Sequence, residues 1–94
     1  MALRLANEVD CTFFAFWHEH RVLEGINCQG EFFVMLTTIA LQKQSQAYEI
    51  AYEVDRAIGS VLIVRTQTTY MIGADLRRKN WQQFISLEEI VQAS

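Results

Sequence analysis

Between Gly30 and Gly59 the chain contains no glycine, proline or asparagine. Within that stretch Phe33, Leu36, Ala40, Lys43, Ala47, Ile50, Val54 and Ala57 recur at spacings of three and four, and all but Lys43 are apolar. Such a stripe predicts one long helix over 31–58. Gly59 then stands where a left-handed C-cap is expected. Gln42 to Gln46, with Glu49, Glu53, Asp55 and Arg56, supply a wet side. The competing reading is a strand from Phe32 to Ile39 followed by a helix from Ser45, which the β-branched Thr37, Thr38 and Ile39 favour. The lack of a turn residue between the two parts favours the single helix. Phe32 to Leu41 is apolar nearly all round, so that half needs more cover than one sheet face provides.

After Gly59 the period changes. Val61-Leu62-Ile63-Val64 is a short, wholly apolar run of the kind found in a buried strand. Thr69 to about Leu76 reads as a second strand, Arg77 to Asn80 as a polar turn, and Trp81 to Ile85 as a third strand. Connections this short imply an antiparallel meander. Ser86 and Glu89 form a capping box, with Ile85 and Ile90 as its hydrophobic staple, and they predict a last helix over Leu87 to Ala93. In the first thirty residues Ala2, Ala6, Val9, Phe13, Phe16 and Leu23 also fit a helical stripe. The aromatic run Cys11 to Trp17 suits a strand better. The reading is a short helix near 2–8 and strands near 11–17 and 22–27, joined by the polar tetrapeptide His18 to Arg21. The expected fold class is α+β. It has a single antiparallel sheet of about five strands with a long helix on one face, in the order α-β-β-α-β-β-β-α.

Ninety-four residues make one domain, 1–94. The chain is 51% apolar and 20% charged with no proline, which excludes a disordered tail or a low-complexity linker. Six Phe, two Trp and three Tyr are a heavy aromatic load for so modest a core, and part of it is expected to meet a partner. The net charge of -3 disfavours a general binder of phosphate backbones. Arg4, Glu8 and Asp10 interrupt any signal-peptide core. The longest uncharged stretch, Phe32 to Gln42, is about half of what crosses a bilayer. A cytoplasmic protein with no membrane association is expected, with Cys11 and Cys28 as reduced thiols.

The order of elements resembles the roadblock/LC7 family. The residues that carry the likeness are the hairpin FFAFWHEHRVLEG, the long segment EFFVMLTTIALQKQSQAYEIAYEVDRAIG, and the meander SVLIVRTQTTYMIGADLRR with NWQQFI. The resemblance implies a five-stranded antiparallel sheet. It also implies a homodimer formed by pairing the third strands, Val61 to Arg65, and by packing the long helices together through Phe33, Leu36 and Ala40. Members of that family are non-enzymatic scaffolds for small GTPases, motors or signalling assemblies. The physical reading points the same way, because a bare edge as apolar as Val61 to Val64 would template aggregation unless paired, and a symmetric dimer buries it.

The expectation is therefore a non-catalytic homodimeric scaffold without a cofactor. Tyr48 and Tyr52, one turn apart, are candidate rim residues of a helix contact. Arg77, Arg78 and Lys79, with Trp81 close by, are candidates to seat a phosphate and stack a base, which would make a nucleic-acid-associated regulator the alternative. Cys11, His18, His20 and Cys28 are the right residue types for zinc or thiol chemistry, but no Cys-x-x-Cys supports a site. The four glycines fit neither phosphate-loop spacing. Glu49 and Glu53 share a helix edge and read as a solvated face.

Overall fold

The fold is that of a computed structural model, which describes residues 3–85. Its elements are β1 (Leu3–Asn7), a 3-10 turn (Glu8–Asp10), β2 (Cys11–His18), β3 (Arg21–Cys28), β4 (Glu31–Ala40), a second 3-10 turn (Leu41–Lys43), α1 (Gln44–Ile58), β5 (Val61–Arg65), β6 (Thr69–Asp75) and a third 3-10 segment (Lys79–Phe84). The six strands form one sheet in the order β1-β5-β6-β4-β3-β2. β1 lies parallel to β5, and every other neighbouring pair is antiparallel.

The segment 31–58 is thus a strand and a helix, not one helix. β4 is central and buried on both faces, so its apolar residues need not alternate. Val34, Leu36 and Ile39 pack on the helix side, while Phe33 points to the opposite face. A register shift between Met35 and Thr37 places one extra residue in β4, and both Leu36 and Thr37 are buried. Phe33, Leu36 and Ala40 thereby imitate a helical spacing while sitting on a strand. The chain leaves β4 through Leu41–Lys43 and enters α1, which buries Ala47, Ala51, Val54 and Ile58. Gly59 ends the helix at φ +85°, and its N–H donates to the Asp55 carbonyl at 2.7 Å. α1 carries the chain from β4 to β5, which run parallel with β6 between them, and a connection of that kind needs a helix-length crossover.

α1 covers one face of the sheet. Ile26, Cys28, Phe33, Leu62 and Val64 are buried on the other. Curvature accounts for their burial. Six flat strands at ~4.8 Å spacing would hold the outer strands ~24 Å apart, whereas the chain from Asn7 to Cys11 reaches at most ~14 Å. Yet Asn7 ends β1 at one edge and Cys11 begins β2 at the other. The sheet must curl until its edges approach, and several contacts cross the concave side. Cys11 Sγ donates to the Asn7 carbonyl at 3.6 Å, Arg4 Nη2 lies 3.8 Å from Cys28 Sγ, Arg4 pairs with Glu31, and its guanidinium sits 5.7 Å from the centre of the Phe33 ring.

The roadblock/LC7 resemblance fails on this topology. Among the described residues there is one α-helix, and the sheet is six-stranded and mixed rather than five-stranded and antiparallel. The helix expected near 2–8 is strand β1, whose Leu3 and Leu5 align with Val61 and Ile63 of β5. The strand expected at Trp81 to Ile85 falls in the 3-10 segment, which packs Trp81 into the helix-side core. The hairpin expected near 11–17 and 22–27 is present as β2 and β3. The helix expected over Leu87 to Ala93, with its cap at Ser86 and Glu89, lies outside the described residues. No helix among the described residues is long and apolar enough to cross a membrane.

Candidate interaction surface

Val61 to Arg65 do not form an open edge. β5 has β1 on one side and β6 on the other, and Val61, Leu62, Ile63 and Val64 are buried within their own chain. Phe33 and Leu36 are likewise fully enclosed, and Ala40 is half-buried at the end of β4. A pairing of long helices through these three residues has no counterpart, because all three lie on a strand.

Among the described residues, the free edges of the sheet are β1 and β2. β1 is five residues long and carries Arg4, both of which blunt an edge. β2 has neither safeguard. It is eight residues long, pairs with β3 in an unbroken register, and contains no Asp, Glu, Lys or Arg. Its residues are placed firmly. Phe14 lies against Phe16 and edge-on to Phe32, with ring centres 5.9 and 5.8 Å apart. Gly25 stands opposite Phe14 in the register, where any Cβ would run into the Phe14 ring. Phe16 and His18 pack on Trp81 at 6.5 and 4.9 Å, which ties the hairpin to the 3-10 segment.

On the concave side nothing among the described residues covers the same hairpin. Phe13 is 46% exposed, Trp17 75%, and Val22, the cross-strand partner of Trp17, 54%. Phe13 also lines a hollow of about 430 Å³, together with Ala15, Ile26, Met35 and Met71, with Glu8 and Glu24 in its wall. Both charged groups of that wall are acidic. Glu8 and Asp10 precede β2, while Arg21 lies at its far end beside Glu19. Sequence reading passed over this surface. Its visible signal was the seven-residue aromatic run without charge, and what was hidden was that β2 takes the outermost place in the sheet.

The remaining candidates separate. Arg77 is committed to Asp75 and Glu31. Trp81 is buried against Phe16 and His18, so it offers no stacking platform. Arg78 is exposed, and Lys79 opens the 3-10 segment. Tyr48 packs toward the core beside Tyr70, with ring centres 6.3 Å apart, whereas Tyr52 is exposed on α1. Cys11 and Cys28 stand directly opposite each other where β2 begins and β3 ends, and His18 and His20 are at the other end of that hairpin. Burial, and then a hydrogen bond with Cys28, pushes the Cys11 thiol up to about 11. Among the described residues no three His, Cys, Asp or Glu side chains converge as a metal-binding group. No protein-family model, curated protein or solved structure matches this chain.

Proposed function

We propose that this chain is a non-catalytic protein-interaction scaffold that works as a homodimer joined along strand β2. The observation that carries the reading is the long, uncharged, aromatic free edge, since an unpaired strand of that composition invites another strand. A second copy of the chain fits it. Two β2 strands running antiparallel across a two-fold axis bring Glu8 and Asp10 of each copy towards Arg21 of the other. The joined sheets also bring together the two exposed sets of Phe13, Trp17 and Val22. The GTPase and motor partners implied by the family resemblance have no support once that resemblance fails.

Sedimentation of the full chain at micromolar concentration tests the reading. The expected result is a dimer, and Phe13→Lys together with Trp17→Lys is expected to convert it to a monomer of unchanged circular dichroism. Both positions are solvent-exposed in the single chain, so the substitutions cost the fold little. A wild-type monomer, or a double variant that still dimerises, would overturn the assignment.

A further inference from the structure

The geometry points to Cys11 and Cys28 as a redox pair that closes into a disulfide across the hairpin when a small disulfide such as oxidised glutathione reaches Cys11. Directly opposite residues of an antiparallel pair hold their Cα atoms ~4.5 or ~5.5 Å apart, inside the ~4.4 to ~6.8 Å span of protein disulfides. Cys11 and Cys28 occupy such a position, where β2 begins and β3 ends. Access differs between them. Cys11 is half-buried, whereas Cys28 is enclosed beneath Arg4, whose Nη2 lies 3.8 Å from its sulfur.

That difference fixes the sequence of events. The Cys11 thiolate attacks one sulfur of oxidised glutathione, forming a mixed disulfide and releasing one reduced glutathione. The Cys28 thiolate then attacks the Cys11 sulfur and displaces the second. Two protein thiols and one glutathione disulfide become one protein disulfide and two glutathione thiols, so atoms and electrons balance. The reaction also changes the seam between the sheet edges. It removes the S–H that Cys11 donates to the Asn7 carbonyl and replaces it with a covalent bond inside the hairpin. Because the Cys11 thiol stays protonated at neutral pH, the first step speeds up about tenfold per pH unit on the alkaline side.

The test uses the full chain, reduced, desalted and incubated at pH 9 with oxidised glutathione, then quenched in acid. The expected product has a mass lower by two hydrogens and yields a non-reduced digest peptide joining positions 11 and 28. Cys28→Ser is expected to stop at a glutathione adduct on Cys11. Three wild-type results would overturn the pair: a stable glutathione adduct, an intermolecular disulfide, or both thiols left free while a dithiothreitol control oxidises. The wild-type mass and digest decide the matter even if the variant fails to fold.

Discussion

Asp75 is fully buried, and a buried carboxylate is tolerated only with partners. Arg77 supplies them. Its Nε and Nη2 donate to the two carboxylate oxygens at 3.0 and 2.8 Å, and its backbone N–H donates at 2.9 Å. Those bonds hold the Asp75 carboxyl below the usual carboxylate range. The stabilisation is therefore present above the unfolded-state value and lost as pH falls through the lowered folded one. Arg77→Met is expected to lower the urea midpoint at neutral pH. The gap to wild type should shrink as the medium is acidified below the carboxylate range, as parallel urea titrations at pH 7 and at low pH would read. From the sequence Arg77 reads as the start of a polar turn and a candidate to seat a phosphate. Asp75 lies only two positions before it, but Glu31, 46 residues away, reaches Arg77 solely through the pairing of β4 with β6. No local pattern could announce that second partner.

Individual elements were legible where their signals were local. The β2–β3 hairpin showed itself as two apolar runs around a polar break, and Gly59 marked the end of α1. β4 was misread because burial on both faces, with an added bulge, erased the alternation that identifies a strand. The two hairpin turns also differ in quality. Between β3 and β4, Gln29 and Gly30 take φ +55° and +86°, and the Gly30 N–H donates to Asn27 Oδ1 at 3.1 Å. Between β2 and β3, Glu19 and His20 take φ +49° and +68°, where neither side chain is at ease. Replacing them by Glu19→Asn and His20→Gly is expected to stabilise the domain by about 1 kcal/mol, the scale of left-handed strain for an ordinary residue. The urea midpoint checks this. A fall would mean that the native pair makes contacts worth more than the strain.

For the molecule as a whole, an α+β domain with one sheet and a covering helix was within reach of the sequence, but the order of strands was not. β1 joins the sheet beside β5, aligning Leu3 with Val61, and five residues carry no pattern that names so distant a partner. That single pairing moves Val61 to Val64 from the rim to the interior, while β2, paired with β3 alone, is outermost at the other end. Ile63→Asp therefore strikes the core rather than an interface. It places an unpaired charge among Val61, Ile72 and Val54, and is expected to cost about 4 kcal/mol, a large part of the stability of a domain this size. Circular dichroism on heating reads the loss; a wild-type melt would contradict the central place of β5. The turn Glu8–Asp10 spans the gap between the two outer strands with three residues. A strip of sheet fastened so tightly at its margins behaves as a clasp, in which the tether, rather than any wall, sets how wide the mouth can open.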